Sequence, residues 1–138
     1  MTALSYALHM LTGRMDAAAD AILRENCQLS YTSFLTLFAV DLLENPTQRD
    51  LALWLGSSDA SLSRQLPQLA AGGWLEVRTT PGRGHRRQVV LTPVGKALVR
   101  QAKALLERRF AGVVRQAGVD VETYTTQTAA ILTVLQTP

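Results

Sequence analysis

TQRDLALWLGSSDASLSRQLPQLAAGGWLEVR, from Thr47 to Arg78, packs two short helical patterns, two glycine stops and the start of a strand into one stretch. Thr47 through Asp50 has the form of an N-cap hydroxyl with an acid three residues on, where each side chain can satisfy the other's backbone N–H. Leu51, Ala52 and Leu55 then share an inward face, and Gly56 is placed as a C-cap. Ser58-Asp59 opens a second helix whose stripe is Leu62, Leu66 and Leu69, ending at Gly72-Gly73. Two short helices joined by a tight glycine-containing turn form a helix-turn-helix unit. From Trp74 the period changes: Trp74–Arg78 and Gln88–Leu91 read as two strands, with the basic segment between them as the hairpin loop.

Outward from this unit both ends are helical. Leu4, Leu8, Leu11, Met15, Ala18 and Ile22 alternate spacings of four and three, the seam of a helix that pairs with another helix. Asn26–Ser30 interrupts, and a second helix from Tyr31 to about Leu43 is apolar on most sides and therefore central. Asn45-Pro46 ends it. After the strands, Thr92-Pro93 caps a long helix with an apolar side of Leu98, Ala102, Leu105 or Leu106, Phe110 and Val113 or Val114. Gly118 breaks it, and Tyr124, Thr128, Ile131 and Leu135 mark a last helix. The fold class is mainly α with a small two-stranded β hairpin, in the order αααα–ββ–αα.

With 138 residues, 47% hydrophobic and 18% charged, the chain is sized for one domain with a real core. Residues 1–30 lack the pattern of a secretory leader, the apolar run Phe34–Leu43 is half a bilayer long, and the one cysteine, Cys27, has no partner for an internal disulfide. A cytoplasmic protein is expected, with no membrane partner. The net charge of +3 is unevenly spread: ten of the fourteen Lys and Arg lie between Trp74 and Arg115, alongside only Glu76 and Glu107. That asymmetry points to a polyanion, nucleic acid first. His9 and His85 are far apart, and neither paired carboxylates, metal-ligand spacing nor a nucleophile elbow is present, so no enzyme, metal or cofactor is expected.

The basic loop TTPGRGHRRQ (Thr79–Gln88) feeds a strand and has no Gly-Lys-Ser/Thr, so it is not a phosphate-cradling P-loop. Arg83, Arg86 and Arg87, with His85 when protonated, suit a narrow minor groove and its flanking phosphates. On the helix before it, about 58–71, the face opposite the leucines presents Ala60, Ser61, Arg64 and Gln68, flanked by Ser63 and Gln65, with Ser58 at the start. Arg pairs with guanine, Gln with adenine, and Ser reaches base or phosphate. Thr47 and Gln48 are candidate backbone anchors at a helix N-terminus. Arg78 faces phosphate or Glu76.

A helix-turn-helix followed directly by a two-stranded hairpin is a winged helix, and long flanking helices make the chain resemble the MarR family of bacterial transcription regulators. The resemblance is carried by Thr47–Arg78 and by HRRQVVLTPVGKAL (His85–Leu98), and in helical order it extends over nearly the whole chain. It implies a winged helix-turn-helix domain at 31–92, helical dimerisation regions at 1–30 and 93–138, and a homodimer on a palindromic double-stranded DNA operator. The helix at 58–71 would enter the major groove and the wing tip, about 79–88, the minor groove. Leu4, Leu8, Leu11, Tyr124, Ile131 and Leu135 are the expected dimer contacts. The family likeness further implies a repressor released by a small aromatic or phenolic ligand, for which Tyr6, His9, Arg14, Tyr31, Phe34 and Phe38 (with Met10 nearby) are the available groups. Two features depart from the pattern. Family wings carry an Asp two positions before an Arg near the tip, whereas Gly82–Arg87 holds no acid, so a looser tip is expected. Pro67 falls inside the recognition helix, on its outward side. The cysteine of the family's redox-sensing branch would fall at about Tyr6; Cys27 lies at the other end of the first helix. Alternatives of the same fold are a redox-responsive regulator using Cys27, an architectural DNA binder, or a protein-interaction module.

Overall fold

The computed structural model describes residues 3–80 and 86–136. They form helices α1 (Leu4–Cys27), α2 (Tyr31–Leu42), α3 (Gln48–Leu55) and α4 (Asp59–Ala71), strands β1 (Leu75–Thr80) and β2 (Arg86–Leu91), and helices α5 (Pro93–Gln116) and α6 (Val121–Gln136). The chain divides into two compact units, Met1–Ala102 and Lys103–Pro138. No helix among the described residues is long and apolar enough to cross a membrane.

In the first unit the local signals act as the residues dictate. The Thr47 side chain accepts from the Asp50 N–H (3.1 Å) while the Asp50 carboxylate accepts from the Thr47 N–H (3.3 Å), a complete capping box. Gly56 adopts the left-handed φ of 64° that closes α3. Ser58 caps α4 by accepting from the Ser61 N–H at 3.1 Å. The N-terminus of α2 is capped twice: Ser30 accepts from Ser33 N–H, and Asp20 of α1 accepts from Tyr31 N–H at 2.9 Å. The Tyr31 N–H and then the Arg24 guanidinium hold the Asp20 carboxyl below the usual carboxylate range.

The core gathers Ala19 and Leu23 of α1, Leu29 just before α2, and Phe34, Leu37, Ala39 and Val40 of α2. Leu51 and Ala52 of α3, Leu62, Leu66 and Leu69 of α4, and Leu75, Val89 and Leu91 of the hairpin complete it. On α1 the residues buried within the protomer are Ala19 and Leu23, next to Ala18 and Ile22 of the seam, while Leu4, Leu8 and Leu11, the expected dimer contacts, are exposed in the single chain. On α5 Ala102 and Leu106 of the expected apolar side are buried and Val99 joins them, while Leu98 and Leu105 are half-buried. Both helices carry apolar residues on more than one face, and contact geometry selects which is covered.

The hairpin is antiparallel, paired from Leu75↔Leu91 to Thr80↔Arg86. Against the expected Trp74–Arg78 and Gln88–Leu91, β1 starts one residue later and runs on through Thr79 and Thr80, and β2 begins two residues earlier, so Arg86 and Arg87 belong to β2 rather than to the loop. Thr79 and Thr80 are β-branched, and a ladder with solvated positions accepts arginine without burying its charge. The junction to α5 is tight. Thr92 donates its N–H to Trp74 O (3.1 Å) and its hydroxyl to Gly73 O (2.6 Å), and its Oγ1 accepts from the Gly95 N–H (3.0 Å).

In the second unit Asp120 accepts from the Thr123 N–H at 2.9 Å at the start of α6, which holds its carboxyl below the usual range. α6 has no buried residue, and Ile131, Leu132, Val134 and Leu135 are all exposed.

Candidate nucleic-acid interface

β2 is fastened at its root to the loop between α2 and α3. Val89 donates its N–H to Pro46 O at 2.8 Å, the Gln88 side chain donates to Asn45 O at 3.0 Å, and Thr47 forms a β-bridge with Gln88. Because the strand is fixed there, Arg86 and Arg87 stand beside the first turn of α3. Thr47, Gln48, Arg49, Asp50, Arg86 and Arg87 line one open cleft of about 340 Å³. The capping box consumes the N–H groups of Thr47 and Asp50, leaving those of Gln48 and Arg49 as first-turn donors. A helix N-terminus with backbone donors and nearby guanidinium groups suits a phosphate. Arg49, exposed on this turn, was not among the sequence candidates. Its signal was a basic residue in a first turn otherwise set by the cap.

Strand alternation separates the two arginines. Arg87 pairs with Thr79 and shares the face of Val77 and Val89, whereas Arg86 lies on the other face with Gln88. Arg87 with Thr79 and Val77 forms one wall of a second groove of about 430 Å³, whose other wall is α4 through Ser63, Leu66, Pro67 and Ala70. Pro67 is exposed on that wall and α4 runs on through it to Ala71. Arg78 is paired with Glu76 at 3.1 Å, both well exposed, which resolves the open choice for that side chain in the free protein.

On α4, Arg64 and Gln68 are exposed and Ser61 is half-exposed. The two flanking residues are engaged. The Gln48 amide donates to the Ser63 hydroxyl at 3.0 Å, and the Gln65 Oε1 accepts from the Thr36 hydroxyl at 3.0 Å. Gln48 thus joins the α3–β2 cleft to the polar side of α4, making one continuous surface. Arg83 and His85, and the expected loosening of the tip around them, lie outside the described residues.

The remaining candidates fall elsewhere. Of the dimer set, Leu4, Leu8, Leu11, Ile131 and Leu135 are exposed, and Tyr124 is partly covered. Of the ligand set, Tyr6, His9 and Arg14 are exposed along α1. Tyr31, Phe34 and Phe38 stack in sequence on α2 with centroids 6.2 and 5.9 Å apart, and Phe34 is buried in the core. Burial, with the Asp16 charge adding to it, pushes the Tyr31 phenol up. Cys27 is half-buried, and burial pushes its thiol up, away from the thiolate that redox chemistry needs. Among the described residues no group of three His, Cys, Asp or Glu is placed to hold a metal ion.

No protein-family model matches the chain, and no curated protein sequence matches it significantly. Solved structures do. Wild-type MarR from E. coli in its apo form superposes with a TM-score of 0.82 at 20% identity, covering 98% of each chain. MepR from S. aureus in complex with DNA gives 0.74 at 21% identity, covering 96% of this chain and 94% of that one. The transcriptional repressor CouR bound to a 23-mer DNA duplex gives 0.77 at 22% identity, covering 94% and 92%. The chain has the winged helix-turn-helix fold of these regulators over nearly its whole length.

Proposed function

We propose that this chain is a sequence-specific, double-stranded DNA-binding transcription regulator of the MarR type that acts as a homodimer. The observation that carries the reading is the continuous surface on which Gln48 links the α3 N-terminus and Arg86–Arg87 to the polar side of α4. In this reading α4 enters the major groove with Ser61, Arg64 and Gln68 toward base edges. Thr47, Gln48 and Arg49 hold phosphate at the α3 N-terminus, and Arg86, Arg87 and the wing tip with Arg83 and His85 lie along the minor groove. Support comes also from the fold shared with proteins solved on DNA. The exposed apolar residues of α1 and, separately, those of α6 support the dimer, because apolar side chains grouped along a helix in water favour association.

Selection from a random pool of duplexes tests the reading. It expects a two-fold site with half-sites about 10 bp apart, and a log–log salt slope near −6 or steeper, set by roughly seven neutralised phosphates per dimer. Arg64→Ala should cost about 1–3 kcal/mol of base discrimination. A steep slope without enrichment would indicate an architectural binder, and no binding at low salt a protein-interaction module. The finer part of the reading, repression relieved by a small aromatic or phenolic ligand, rests on the resemblance rather than on the geometry. Titrating the selected complex with a series of phenolic acids tests that part.

A further inference from the structure

Thr36 is the one buried polar residue among those described, 2% exposed in the middle of α2. A hydroxyl at such a place costs stability unless it is paired; its one proton faces two acceptors, Thr32 O one turn back at 3.3 Å and, nearer and across the α2–α4 contact, Gln65 Oε1 at 3.0 Å, 29 positions along the chain. Taking Leu62 as the origin at about 100° per residue, Gln65 lies some 60° to one side of the leucine stripe and Ser63 about 100° to the other. Ser63 is held by Gln48. The recognition helix is therefore seated on leucines, whose contacts are non-directional, and gripped on each flank by one directional hydrogen bond. Ser61 and Gln68 stand four residues before and three after Gln65, on the same strip of the helix.

We propose that Gln65 is a positioning residue rather than a base reader: clamped by the Thr36 hydroxyl, it fixes the roll of α4 about its axis and so sets where Ser61, Arg64 and Gln68 meet the base edges. Leucines packed against leucines permit a helix to rotate by a few degrees at little cost; a directional bond to a buried hydroxyl resists it. A roll of about 10° at the distance of a long side-chain tip, about 8 Å from the helix axis, moves that tip by more than 1 Å, enough to spoil a bidentate hydrogen bond. This rests on the DNA-reading proposal above.

The experiment uses the full chain and the duplex enriched from the random pool, with relative affinities measured for every single-base variant of one half-site and for an unrelated duplex. Thr36→Val removes the hydroxyl at nearly constant volume, Thr36→Ser keeps it, and Gln65→Met removes the acceptor at similar length. Thermal unfolding of each variant accompanies the binding. The expected result is that Thr36→Val lowers the ratio of specific to unrelated affinity on the order of fivefold to tenfold, the value of one neutral hydrogen bond. The loss should spread over all the positions α4 reads, with affinity for the unrelated duplex and the salt slope unchanged. Thr36→Ser should retain the wild-type profile. Gln65→Met should give the same diffuse loss, and the double variant no more than either single one. Loss of preference at one base position in Gln65→Met, with none in Thr36→Val, would make Gln65 a direct reader and overturn the proposal. So would wild-type discrimination in Thr36→Val. Should Thr36→Val fail to fold, the Gln65→Met profile, diffuse or confined to one position, decides. A wild-type chain without sequence preference would overturn the DNA-reading proposal itself, and this one with it.

Discussion

Gly95 stands where no other residue fits. A Cβ placed on it would lie 1.9 Å from the Trp74 carbonyl oxygen and 2.9 Å from its carbon, both backbone atoms that no rotamer change can move. Restoring ordinary contact requires the start of α5 to retreat from the start of β1 by about 1.5 Å. That displacement breaks the Thr92 N–H bond to Trp74 O and disturbs the Thr92 hydroxyl bond to Gly73 O. Overpacking of this kind costs about 1–3 kcal/mol and each broken hydrogen bond about 1 kcal/mol, offset by at most about 1 kcal/mol for replacing glycine in a helix. Gly95→Ala should therefore destabilise the protein by about 2–4 kcal/mol, a fall of roughly 10 °C in midpoint for a chain this size. Gly13→Ala provides the opposite sign: that glycine is also helical, faces away from the Leu4–Leu8–Leu11 seam and meets nothing within 4 Å. It should gain about 0.5–1 kcal/mol. Urea and thermal unfolding followed by circular dichroism, at matched protein concentration, measure both. If Gly95→Ala came within about 0.5 kcal/mol of the wild type, the α5–β1 junction described above would be wrong.

Arg87→Ala should weaken binding to every duplex and reduce the salt slope by about 0.9 for each phosphate no longer neutralised; an unchanged slope would remove Arg87 from the phosphate path. Asp20→Ala should lower the urea midpoint at neutral pH by removing the acceptor of the Tyr31 N–H. Because the folded protein depresses this carboxyl, its contribution is full above about pH 4 and disappears as pH falls through the lowered value. Wild type and variant should therefore converge as pH falls through that lowered value, and a gap that stays constant throughout acid titration would contradict the assignment. Ile131→Asp and Leu8→Asp should each shift sedimentation toward the monomer and weaken operator binding while leaving α-helical content largely intact; a stable dimer in both would place the association surface elsewhere.

Much of this protein is local, and locality is what a sequence exposes. The Thr47–Asp50 box, the left-handed Gly56, the Ser58 cap and the Leu62–Leu66–Leu69 stripe depend on residues within one or two helical turns, and the structure has each where the spacing places it. The winged-helix order was legible for the same reason. Other features depend on contacts across the chain. Arg86 and Arg87 became strand residues because Thr79 and Thr80 pair with them across the hairpin and Pro46 pins the strand's root. The buried faces of α1 and α5 were settled by what packs against them, since each helix carries apolar residues enough for more than one face. Gly95 looks like an ordinary helical glycine until Trp74 is brought to it. Thr36 looks like a polar interruption of an apolar helix until Gln65 arrives from 29 positions away. A sequence specifies dihedral preferences and periodicity through neighbours, so it determined the helices, their ends and their order. Which side chains meet depends on how those elements pack in three dimensions, and that alone decided the clamp on α4, the cleft at α3 and the junction at Gly95.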